Sequence, residues 1–167
     1  MAQIPDVESQ YTDELRAQAE EMKQARGLPT LGFYGQLMVY PELFQKVQAL
    51  GTFLRFGSSL PAVLRESAIL LTAIELRSAF EWQTHQHTAA AAGVDLEKVD
   101  PDLRVLVQAT AGQRSVPQDA FDRFRAAHGD QAAVEVVLLV SAYRMYASLG
   151  AAFDSELPGG EAPPWAK

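Results

Sequence analysis

One stretch of the chain gathers side chains that can move protons. It holds Ser78, Glu81, Trp82 and His85, then His87 and an alanine run that ends at Gly93. A carboxylate and an imidazole four residues apart meet on one side of a helix, because each residue turns through about 100°. At that spacing Ser78, Glu81, Trp82, His85 and Ala89 share a face, and His87 points the opposite way. Such a face can bind a proton and pass it on, which is the equipment of general acid–base catalysis. A second carboxylate, Glu66, sits in a segment that is apolar nearly all round through Ile69, Leu70, Leu71, Ala73 and Ile74. Burying an ionised carboxylate without a partner is costly. Glu66 therefore requires an arginine such as Arg65 or Arg55, or His85 itself.

Plainer roles compete for the same residues. Ser78 followed at i+3 by Glu81 matches a capping box, which satisfies backbone donors with no chemistry at all. His128, before Gly129, suits the C-terminal end of a helix, and Glu75 lies about 180° from Glu66, on the surface. Two carboxylates and an imidazole are also a possible metal set. Nothing like a full ligand motif accompanies them, so neither metal nor cofactor is expected.

The elements that must hold these residues are helices, since no run of alternating residues asks to be a strand. Tyr11, Leu15, Ala19 and Met22 form an apolar stripe on a charged helix with Asp13 and Glu14 near its start. Lys23 and Arg26 lie near its end, and Gly27 and Pro29 stop it. A short apolar segment, Leu31 to Met38, precedes a helix that opens at Pro41, runs to about Phe56 and breaks at Gly57, Ser58 and Ser59. Pro61 opens the Glu66 helix, which runs to about Leu76, and the His85 helix follows after a break near Arg77 and Ser78. Further helices start at Asp100-Pro101 and at Pro117. The last, Gln131 to about Phe153, is apolar over more than one face, as expected of a central or subunit-facing helix. The Pro/Gly-rich end reads as an arm or as disordered. The fold class is all-α, with six to eight helices.

Totals exclude other classes. The chain has 167 residues, 48% hydrophobic and 21% charged, the profile of one soluble globular domain. Its 14 basic and 21 acidic residues give a net charge of −7 with no basic block, which argues against nucleic acid and against a membrane surface. Met1 to Asp6 carries no positive or apolar leader pattern, and a cytoplasmic protein is expected. There is no cysteine, so no thiol nucleophile and no thiolate metal ligand.

Taken together, Leu64-Arg65-Glu66-Ser67-Ala68-Ile69-Leu70, Phe80-Glu81-Trp82-Gln83-Thr84-His85, Ala89 and Ala92-Gly93-Val94 resemble the carboxymuconolactone decarboxylase and AhpD-like alkylhydroperoxidase superfamily. The last helix and its closing Glu156-Leu157-Pro158 look similar too. The resemblance divides a single AhpD-like domain, residues 1–167, into an N-terminal helix (1–29), a family core (30–158) and a tail (159–167). It implies trimers or hexamers with active sites near subunit contacts. The peroxidase branch of the family uses a Cys-x-x-Cys pair, a histidine and an upstream glutamate, which fall here on Ser78, Glu81, His85 and Glu66. Both cysteines are replaced, and peroxide reduction needs both thiols, so thiol peroxidase chemistry is excluded.

What the resemblance leaves is a decarboxylase-like acid/base enzyme (a lyase or isomerase) acting on a small carboxylated or lactone substrate. Glu66, Glu81 and His85 are its expected catalytic residues, with His85 as the proton shuttle. Ser78, Trp82, Phe33 and Tyr34 are expected to contact substrate, Trp82 excluding water. The competing expectation is a catalytically silent family member that binds a ligand or serves as an oligomeric scaffold.

Overall fold

A computed structural model describes residues 7–166. Met1 to Asp6, the segment with no leader pattern, and Lys167 lie outside the described residues. Among those described, the regular structure is helical, with eight α-helices and no strand.

Helix α1 (Asp13–Arg26) begins where the Thr12 side chain accepts a hydrogen bond from the Leu15 amide at 3.3 Å. It ends at Gly27, whose φ of 63° is the left-handed conformation that lets the chain turn back. Ala19 and Met22 bury its inner side, and the Tyr11 hydroxyl ties the segment down by donating to the Gly35 carbonyl at 2.7 Å. Two short steps follow: α2 (Phe33–Leu37), wholly buried, and α3 (Pro41–Thr52), with proline in its first turn.

A π-helical turn, Phe53–Gly57, extends α3. The wider turn changes the angular register of the side chains. Phe53 and Phe56 face solvent while the tip of Arg55 turns inward. The break at Ser58 and Ser59 is fastened to the last helix, α8 (Asp130–Ala152). One carboxylate, Glu135, accepts from Ser58 Oγ at 2.6 Å, from the Ser59 amide at 3.0 Å and from Ser59 Oγ at 2.8 Å. This clamp sets where α4 (Ala62–Leu76) starts.

Helix α4 is buried from Glu66 through Ala73, as its apolar circumference requires. Arg77 closes it at φ 51°, and the Ser78 amide bonds back to the Ala73 carbonyl at 2.9 Å. Ser78 then caps α5 (Ala79–Ala91), its hydroxyl accepting from the Glu81 amide at 3.4 Å. The two helices pack against each other as an antiparallel hairpin. Helices α6 (Pro101–Ala111) and α7 (Gln118–His128) complete one side. At the end of α7 His128 pairs with Asp100 at 3.0 Å.

Helix α8 is the centre of the fold. It packs against α2, α4, α5, α6 and α7, burying Val136, Leu139, Val140, Tyr143 and Tyr146. Each of these large side chains contributes roughly 1.5–3 kcal/mol by leaving water. By length and composition α8 could also cross a membrane, and in this fold its inner side is the core. The tail turns back as well: Pro163 is buried and the Trp165 ring sits edge-on against Trp82 at 6.0 Å.

Candidate proton-relay site

Three buried side chains from three helices form a line. Glu66 of α4 is 1% exposed, His85 of α5 is 2% exposed and Tyr143 of α8 is 3% exposed. His85 Nδ1 lies 2.9 Å from Glu66 Oε2, and its Nε2 lies 3.0 Å from the Tyr143 hydroxyl. The other Glu66 oxygen accepts from Arg65 Nε at 3.3 Å. Glu66 thus has both an imidazole and an arginine as partners.

Burial alone would raise the Glu66 carboxyl. The His85 N–H and the Arg65 guanidinium instead hold it below its usual range, so it is ionised. Burial pushes His85 below its ordinary value, Glu66 pulls part of the way back, and the charges of Arg55 and Arg26 push it down again. His85 is therefore neutral, with its proton on Nδ1 facing the carboxylate, and Nε2 accepts from Tyr143. Burial, with the nearby Glu81 carboxyl, keeps the Tyr143 hydroxyl protonated far past the ordinary tyrosine range.

The line opens on a cavity of about 20 Å³, room for one or two water-sized groups. His85 and Tyr143 line it together with Glu81, Phe33, Tyr34, Phe80, Tyr146, Arg26 and Arg55. Glu81 is 3% exposed, and burial raises its pKa from 4.5 to about 8, the charges of Arg26 and Arg55 pulling it only partly back. At neutral pH it is a carboxylic acid able to donate a proton. Gly51 leaves room at the wall, since a Cβ there would fall 2.5 Å from the Tyr34 hydroxyl. The Phe33 ring stacks on Tyr34 at 4.3 Å and on Tyr146 at 5.3 Å, making one side aromatic.

Not every expected residue comes to this place. Glu81, His85, Phe33 and Tyr34 line the cavity, and Glu66 reaches it through His85. Ser78 does not line it. Its backbone is extended at φ −84° and ψ 99°, outside the helix, so helical phase does not carry it onto the Glu81 face. Trp82 lies one residue, about 100°, further round than Glu81. It packs on Trp165 instead of walling the cavity. The capping box is half made: Ser78 accepts from the Glu81 amide, but the Glu81 carboxyl stays in the cavity, with Oε1 buried and unpartnered. Among the described residues no three Asp, Glu or His side chains converge in a metal-binding arrangement. Of the two arginines able to pair with Glu66, Arg65 does so, and Arg55 faces the cavity instead.

Tyr143, Tyr146 and Arg26 escape a reading of the sequence. The tyrosines sit three residues apart in the second half of the last helix, and their only signal is that a buried hydroxyl needs a partner. Arg26 sits in the last turn of α1, where a cation also favours the helix dipole, so nothing local marks it. No family model matches the chain, and neither a curated protein nor a solved structure matches it.

Proposed function

We propose that the chain is an acid/base enzyme of the carboxymuconolactone decarboxylase type, needing no cofactor and acting on a small carboxylated or lactone substrate. The observation that carries this is the Glu66–His85–Tyr143 line ending at a cavity beside a neutral Glu81. Two carboxyl groups whose surroundings drive their pKa values apart are the mark of divided acid and base roles. In decarboxylation the bond to the carboxylate carbon breaks, carbon dioxide leaves, and the electron pair remains on the substrate carbon. That carbon must take up one proton. Glu81 would give it and be reprotonated from water, while Glu66 holds His85 in the tautomer whose Nε2 accepts from Tyr143, so that His85 would shuttle the replacement proton. A homo-oligomer, trimer or hexamer, in the cytoplasm belongs to the same proposal.

The test begins with small organic acids and lactones screened by ligand-induced thermal shift, followed by turnover assays on the hits. His85→Ala should lower kcat by on the order of 10²–10⁴. His85→Asn, whose amide can still donate to Glu66, should keep the fold and lose the activity equally. Full activity in either variant on an identified substrate would overturn the assignment.

One observation favours a second reading, a catalytically silent ligand-binding or scaffold protein. Both ring nitrogens of His85 are satisfied inside the protein, as in a structural histidine. A screen that finds ligands but no turnover would decide for it. His85 does have a cavity beside it, which a purely packed histidine would lack.

A further inference from the structure

Five residues lining the cavity, Arg26, Arg55, Glu81, Thr84 and Tyr146, each carry a buried polar atom with no partner among the described residues, and three of these atoms belong to guanidinium or carboxyl groups. Arg26 Nη2, Arg55 Nη1 and Glu81 Oε1 are each buried without a hydrogen bond among the described residues. Neither guanidinium forms an ion pair with Glu81, although both act on it electrostatically. Buried donors left unmade are costly, and buried cations more so. A fold that aims two guanidinium tips and a carboxyl into one small space builds a niche of definite chemistry.

We propose that this niche is a carboxylate seat, in which Arg26 and Arg55 each donate to one oxygen of a carboxylate on the substrate. The seat deepens the acid/base reading of the same cavity by naming what anchors the substrate, but it stands on the arginines and not on the His85 line. The guanidinium is planar and its N–H groups match carboxylate geometry. Arg26 is held in place by lying over the Tyr34 ring, 4.7 Å from its centre. A Cβ at Gly51 would fall 2.5 Å from the hydroxyl of that same Tyr34, so glycine leaves the ring under Arg26 its place.

Charge selects a carboxylate over larger anions. The space of about 20 Å³ holds one or two water-sized groups, so a carboxylate enters by pushing back part of the wall. A phosphate would bring a second charge and a third oxygen, and the remaining cation of the lining, Lys23, is paired with Glu20. Glu81 in its neutral form adds a hydrogen-bond donor rather than a repelling charge. The body of the substrate is apolar or unsaturated, to suit Phe33 and Phe80. It must displace part of the apolar wall, to which Met22 and Leu31 contribute, with Arg26 staying over Tyr34.

Isothermal titration of the full chain with sodium benzoate and sodium acetate, at an ionic strength fixed with sodium chloride, tests the seat. Benzoate should bind saturably and more tightly than acetate. Arg26→Gln and Arg55→Gln should each weaken binding by about tenfold or more, charged hydrogen bonds being the strong ones. Circular dichroism checks that the variants fold. If they do not, the side-chain Nε–H resonances of ¹⁵N-labelled wild-type protein serve instead, and two arginine signals should move on adding benzoate. No saturable binding with unmoved arginine resonances, or a folded double variant that binds as the wild type does, would overturn the seat. Carboxylate binding without any His85-dependent turnover leaves the seat standing and removes the acid/base reading. Turnover that needs His85 but is indifferent to Arg26 and Arg55 does the reverse.

Discussion

Glu81 is the residue whose environment does most to define the site. A carboxyl that is ionised in the unfolded chain above about pH 4.5 stays protonated in the fold until about pH 8, because burial penalises its charged form. Its contribution to stability is therefore most favourable below pH 4.5 and is lost as the pH rises towards 8. Each tenfold difference in proton affinity between the folded and unfolded chain is worth about 1.4 kcal/mol, so the loss is several kcal/mol. Glu81→Gln has no charge to bury. Denaturant unfolding at pH 5 and pH 9 should show the variant gaining on the wild type at the higher pH by a few kcal/mol. Parallel pH profiles for the two proteins would contradict a buried, neutral Glu81.

Among the elements, the decisive joint is between α8 and the break that precedes α4. Glu135 accepts from Ser58, Ser59 and Gln131, and these donors, working against the cost of burial, hold its pKa at about 2. Here the stabilisation is present above the ordinary glutamate value near 4.5 and is lost as the pH falls towards 2. Glu135→Ala strips charge-assisted bonds from a half-buried loop and should cost about 3 kcal/mol at pH 7. The difference between variant and wild type should shrink below pH 3, as followed by thermal unfolding. An unchanged melting temperature at pH 7 would mean that the loop is held by packing alone. The same joint matters to the site, because it fixes the start of α4, and α4 carries Glu66. The π turn does comparable work on the other side of the break by aiming Arg55 inward.

At the scale of the whole molecule, the outer side of α8 is unfinished. Val134 is 66% exposed, Leu138 43% and Met145 39%, at helical spacing along one stripe. Apolar stripes of this kind on a central helix usually meet another protein surface. Self-association into a trimer or hexamer is the expected state, measurable by light scattering after size exclusion. Leu138→Lys should shift it towards monomer with the helical signal unchanged. A monomer at micromolar wild-type protein would remove the prediction.

Much of the helical layout is legible in the residues. Pro41, Pro61, Pro101 and Pro117 start helices and Gly27 ends one, because caps and breaks act over a few residues. The need of Glu66 for a partner is legible too, as is the shared face of Glu81 and His85. Tertiary structure alone decided which partners arrive. Tyr143 reaches His85 across 58 residues, Glu66 reaches the same imidazole across 19, and Arg26 comes from a helix with no local mark of a site. Packing against Trp165 also holds Trp82 away from the cavity that Glu81 lines, whereas Ser78 is kept from it locally, by its extended backbone at the start of α5. A helix end is settled by its neighbours in the chain, whereas a buried charge is settled by whatever the core brings against it. That Glu66 and His85 needed partners follows from their residue types in apolar helices, whereas only the packing of α4, α5 and α8 made them each other's partners with Tyr143 at the end, and only the packing of α1 and the π turn set two arginines on the cavity beside them.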